Sequence, residues 1–102
     1  MIAIATDTNE TTALVGTHFG KCRWLYLFDT ERKEGVFIEN PALEHESRVG
    51  CVAADFLAGR DVKMVVAGRF GSNVVDHFRK NNIQMVIPQA PKTISEIIRK
   101  IK

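Results

Sequence analysis

Only two cysteines, Cys22 and Cys51, occur among the 102 residues, so neither a disulfide framework nor a Cys-x-x-Cys metal knuckle can be built from this chain. Prolines number three and are scattered, and no Pro/Gly/Ser-rich stretch marks a linker or a disordered tail. No apolar run approaches the ~20 residues needed to cross a bilayer, and no basic leader precedes the first apolar segment. A formal net charge of only +2 is too small for a dedicated nucleic-acid surface, so any basic site must be local. These absences lead to the expectation of one cytoplasmic domain with free thiols, without a membrane or nucleic-acid partner. A length of 102 residues suits a single core and leaves no room for a separate catalytic domain.

What is present is an alternation of apolar periods. Met1 to Thr6 is a continuous apolar run, as a central strand covered on both faces requires. Trp24 to Phe28 and Val36 to Ile38 are aromatic and β-branched runs separated by a charged stretch ending in Gly35, which predicts a hairpin. From Val49 the period changes: Val49, Val52, Ala53, Phe56 and Leu57 lie on one face of a helix that ends near Gly59. Val62 to Ala67 reads as a strand, and Ser72 can cap a helix with Val74, Val75 and Phe78 on its apolar face. Ile83 to Ile87 reads as a last strand, stopped by Pro88. The capping-box spacing Thr93-Ile94-Ser95-Glu96 then opens a helix whose stripe is Ile94, Ile97, Ile98 and Ile101.

The order β-β-β-α-β-α-β-α, with right-handed crossovers, predicts an α/β fold: a five-stranded mixed sheet of spatial order 3-2-1-4-5 with helices on both faces. Strands 1, 3, 4 and 5 would run parallel, and their C-terminal ends would open on one edge, where α/β proteins place ligands.

On that edge fall most residues able to bind a metal. His18 and Cys22 lie in the first loop, and His45 and Cys51 in and after the second, whereas His77 lies elsewhere. Imidazole and thiolate suit iron, zinc and iron–sulfur centres. Spacing alone leaves the alternatives open, since a lone histidine beside Phe19 is also an ordinary loop residue. Cys51 lies about 160° from the core direction of its helix, near the N-terminus, where the dipole favours thiolate. The alternative is a small residue packed under the loop. Asp7 reads as a loop cap rather than as part of a two-metal carboxylate cage, so nuclease chemistry is not expected. The Gly68-Arg69-Phe70-Gly71-Ser72 turn joins a strand to a helix and could expose N–H groups to an anion, with Arg69, Lys21, Arg23 and Arg48 as a positive rim. It lacks a Walker lysine, and its glycines could equally serve a tight turn.

The opening strand, His18-Phe19-Gly20-Lys21-Cys22, Glu39-Asn40-Pro41, the helix from Val49 and Val65-Val66-Ala67-Gly68-Arg69-Phe70-Gly71 together resemble the dinitrogenase iron–molybdenum cofactor biosynthesis family, which includes NifX, NafY and the C-terminal domain of NifB. The resemblance implies a ribonuclease H-like three-layer fold. It also implies a non-catalytic role in binding, carrying or assembling iron–sulfur or iron–molybdenum clusters for nitrogen fixation or general iron–sulfur handling. The partners it implies are cofactor assembly proteins or an acceptor apoprotein. The cofactor contacts so implied are His18, Phe19, Gly20, Lys21, Gly68, Arg69 and Gly71, with His18, Cys22, Cys51 and His45 as metal ligands. Where relatives carry a Gly- and His-rich stretch after Asn-Pro, this chain has Pro41-Ala42-Leu43-Glu44-His45-Glu46-Ser47-Arg48. A phosphate or small-molecule module using the Gly68 to Ser72 turn is the alternative.

Overall fold

A strand apolar over nearly its whole length must be covered on both faces, and Ile2–Thr6 (β1) is buried throughout. The computed structural model describes residues 1–16, 18–19, 22–40, 56–57 and 59–101. β1 lies at the centre of a five-stranded sheet with Trp24–Asp29 (β2), Glu34–Glu39 (β3), Met64–Val66 (β4) and Gln84–Val86 (β5), in the order β3-β2-β1-β4-β5. β1 runs antiparallel to β2, with Ile4 opposite Tyr26, and parallel to β4, with Ile4 opposite Val66. β3 is antiparallel to β2 and β5 parallel to β4. The expected strand order is therefore the observed one.

β3 is longer than the apolar run Val36 to Ile38, because pairing with β2 recruits Glu34 and Glu39, whose side chains stay exposed at the sheet edge. Gly35 sits beneath Tyr26, and a Cβ there would run into the phenol. The hairpin turn is tied by Asp29, whose Oδ1 accepts the N–H groups of Glu31 and Arg32 at 3.0 and 3.2 Å. The Arg32 and then the Glu31 bond hold that carboxyl below its ordinary range. Lys33 takes the left-handed conformation that closes the turn, with φ 58°. β4 and β5 are shorter than their apolar runs, although Val62, Ala67 and Ile83 are still buried outside the ladders.

Two helices described end to end, Ser72–Lys80 (α1) and Ile94–Ile101 (α2), cover opposite faces of the sheet. Val74 and Phe78 of α1 pack with Ala3, Ala5, Leu25, Val65 and the helical residue Leu57 on one face. Ile94 and Ile97 of α2 pack with Ile2, Ile4, Phe28 and Val66 on the other, and Ile98 lies against the same cluster. Fully burying side chains such as Phe78 or Ile94 contributes ~1.5–3 kcal/mol each. Apart from Phe56 and Leu57, the helix expected from Val49 lies mostly outside the described residues.

The capping box forms as its spacing predicts: the Thr93 N–H donates to Glu96 Oε1 at 3.2 Å, and the Glu96 N–H donates to Thr93 Oγ1 at 3.2 Å. Ser72 is not a cap. The N-cap of α1 is Gly71, with no side-chain bond, and Ser72 is the first helical residue. The loop after β1 is capped by Thr6, whose Oγ1 donates to the Thr8 carbonyl at 2.8 Å and accepts the Thr8 N–H at 3.3 Å. Among the described residues, no helix is long and apolar enough to cross a membrane.

Candidate functional site

The C-terminal ends of the parallel strands β1 and β4 open on one edge, and the loops that leave them are sewn together by backbone bonds. The Gly16 N–H donates to the Ala5 carbonyl at 2.7 Å, and the Gly68 N–H donates to Gly16 at 2.9 Å. A Cβ on Gly16 would stand 3.3 Å from the Ala5 carbonyl group and the Thr6 nitrogen, so this close crossing favours glycine. Next to it the Phe19 N–H donates to the Arg69 carbonyl at 3.0 Å. The first loop and the turn after β4 thus form one surface.

Phe19 anchors that surface from below. Its ring is buried, stacked on Phe70 at 5.8 Å and edge-on to Phe78 at 5.2 Å, while Phe70 and Phe78 meet at 6.1 Å. With Phe19 fixed inward, His18 is exposed, and Arg69 is exposed on the other side of the same hydrogen bond. This bond sets His18 and Phe19 of the expected set beside Gly68 and Arg69, and Gly71 follows two residues later at the start of α1. Gly20, Lys21, His45, Arg48 and Cys51 lie outside the described residues.

Cys22 is placed beneath this edge, not on it. It is 1% exposed, its Sγ–H donates to the Phe19 carbonyl at 3.0 Å, and Asn40 Nδ2 lies 3.7 Å from the sulfur. Burial pushes the thiol up to about 12, reinforced by the charge of Asp7 and opposed by hydrogen bonds from Thr6 and Asn40. At neutral pH this sulfur is a protonated core thiol. His77, in the last turn of α1, lies at the opposite end of that helix from Gly71.

The start of α1 has the makings of an anion contact. An α-helix leaves its first N–H groups without intrahelical partners, and here the N-cap has no side chain and the first turn no acidic residue. Gly71 has φ −72° and ψ 157°, which any residue adopts, and a Cβ on it would meet nothing within 4 Å. Among the described residues neither backbone angle nor packing demands glycine here, and a bare backbone leaves the approach open. Beside Gly68 lies a hollow of about 290 Å³ walled by Leu14, Val15, Pro88, Pro91 and Lys92. Among the described residues, no group of three or more His, Cys, Asp or Glu could hold a metal ion. What they offer is a rim with the His18 imidazole, the Arg69 guanidinium and backbone donors.

Asn40 and Thr6 were not singled out as site residues by sequence reasoning, yet they are the buried polar residues under this edge. A signal existed for Asn40, as an amide between the end of a strand and Pro41.

A family model described as dinitrogenase iron-molybdenum cofactor matches residues 1–102. No curated protein matches the chain. Among solved structures, the apo form of the orange protein from Desulfovibrio gigas is similar at 17% identity and TM-score 0.88, over 98% of this chain and 84% of that one. A protein from Thermotoga described as a NifB protein of the DUF35 family is similar at 18% identity and TM-score 0.80, over 98% of this chain and 84% of its own. At such identities the likeness to these structures shows the shared fold.

Proposed function

Because the chain belongs to the dinitrogenase iron-molybdenum cofactor family, we propose that it is a non-catalytic carrier or assembly module that holds a metal cluster as cargo on the C-terminal edge of its sheet. The observation that carries this reading is the Phe19–Arg69 hydrogen bond, which sets an exposed imidazole and an exposed guanidinium on one surface. The cargo is an iron–sulfur or iron–molybdenum type cluster, a polyanion with few protein ligands. Charge and a few mixed ligands suit a cluster that must be passed on, whereas four thiolates suit a permanent site. His18 is the ligand in the described part of the site, with His45 and Cys51 completing the set. Gly68, Arg69 and Gly71 meet the anionic exterior, joined by Gly20 and Lys21. Cys22, a buried protonated thiol, supports the loop. Assembly proteins or an acceptor apoprotein in the cytoplasm are the partners, and the layered sheet is assigned to the ribonuclease H-like group.

Anaerobic reconstitution with ferrous iron and sulfide, then desalting, metal analysis and visible absorption, tests this directly. The parent should retain iron and sulfide, and His18→Ala and Arg69→Ala should retain less. A parent that emerges colourless and metal-free ends the carrier reading. The second reading, a phosphate-type anion at the start of α1, is favoured by the open backbone at Gly71. Titration with inorganic phosphate, heat-detected, separates the two.

A further inference from the structure

Thr6 and Asn40 are the buried polar residues among those described, and both reach Cys22. The Asn40 backbone N–H donates to the Arg23 carbonyl at 2.8 Å, one rung beyond the last pair of the β2–β3 ladder, Trp24 with Glu39. Pro41 follows and has no N–H to donate. The Asn40 side chain takes over where the ladder stops, its Nδ2 donating to the Cys22 carbonyl at 2.9 Å and lying 3.7 Å from Sγ. From there the Cys22 thiol donates to the Phe19 carbonyl at 3.0 Å, and the Phe19 N–H donates to Arg69 at 3.0 Å. Four residues thus form an unbroken relay from the end of β3 to the turn after β4.

Stability is only part of what this relay supplies. Nδ2 satisfies the buried Cys22 carbonyl, so part of its role is stability, but a bond made only for stability could run to any nearby acceptor. What hydrogen bonds add is direction. We propose that Asn40 is a positioning residue for the cargo site: it fixes Cys22, Cys22 fixes Phe19, and His18 is thereby held at a set distance from Arg69. The proposal rests on the carrier reading above.

The test uses the full chain in the same anaerobic reconstitution with ferrous iron and sulfide, comparing the parent, Asn40→Leu, Asn40→Asp, His18→Ala and the double variant Asn40→Leu/His18→Ala. Leucine fills the space with no donor, and aspartate keeps the shape but lacks the Nδ2 donor. Each Asn40 variant should unfold cooperatively and lose ~10-fold or more in cluster retention, the usual effect of removing an outer hydrogen bond. The double variant should retain as much as His18→Ala alone, because with the imidazole gone Asn40 has nothing left to position. Retention by both Asn40 variants equal to the parent, or effects that simply add, would overturn the proposal while leaving the carrier reading standing. Failure of both variants to fold would also overturn it, since Asn40 would then be a folding residue. A parent that retains no cluster removes the carrier reading and this proposal together.

Discussion

The Phe19 N–H donates to the Arg69 carbonyl at 3.0 Å, joining two segments far apart in the sequence into one surface. The Phe19 ring, clasped by Phe70 and Phe78, keeps that junction from sliding. His18 and Arg69 flank the bond, so the chemistry of the edge depends on a contact that neither residue makes with its own side chain.

His18→Ala and Arg69→Ala should each weaken retention of reconstituted iron and sulfide by at least several-fold, with unfolding midpoints little changed because both side chains are exposed. His77→Ala, at the far end of α1, should retain as much as the parent. Equal losses from His18→Ala and His77→Ala would point to non-specific metal adhesion instead of a site.

Gly71→Ser should separate stability from binding. Its Cβ enters open space, its hydroxyl can cap α1, and glycine is removed from the unfolded chain, so stability should rise by about 0.5–1 kcal/mol in urea unfolding. The same hydroxyl competes for the N–H groups that would meet an anion, so retention of cluster or phosphate should fall. Unchanged affinity for both would remove the start of α1 from the site.

Cys22 predicts a pH dependence with a definite sign. The folded thiol is pushed up to about 12 from its ordinary 9.0, so below pH 9 both states keep the proton and its contribution is constant. Between pH 9 and about 12 the unfolded chain releases the proton while the folded chain holds it, so stability falls by ~1.4 kcal/mol per pH unit. Cys22→Ala should flatten that part of the profile relative to the parent. Parallel profiles up to pH 11 would mean that the thiol is not held protonated in the fold.

Gly35→Ala should destabilise the domain by ~1–3 kcal/mol, because the new methyl group meets the buried Tyr26 phenol across the β2–β3 hairpin. Unfolding by urea measures it. A variant as stable as the parent would show that Tyr26 does not lie over this strand in solution.

Most of the sheet was legible because period-2 and continuous apolar runs report burial directly: Ile2–Thr6 could only be central, and the aromatic run from Trp24 only a strand. The capping box at Thr93 was legible for the same reason, since both partners lie within one turn. Ser72 misled because a serine beside a helix start resembles a cap whether it stands at the cap or one residue inside it, and only the backbone angles at Gly71 distinguish the two. Cys22 misled for another reason. Its sequence neighbours His18 and Lys21 are polar, whereas it lies in the core cluster with Ala3 and Ala5 of β1 and is met by Asn40 just beyond β3.

The sequence by itself determined the strand order and the edge from which the loops of β1 and β4 leave, because these follow from local periodicity and the handedness of crossovers. Tertiary structure alone decided that Cys22 is a core thiol and that Asn40, Cys22, Phe19 and Arg69 form a relay. Hydrogen bonds between strand ends depend on the depth at which each side chain comes to rest, and that depth is set by packing from the neighbouring strands.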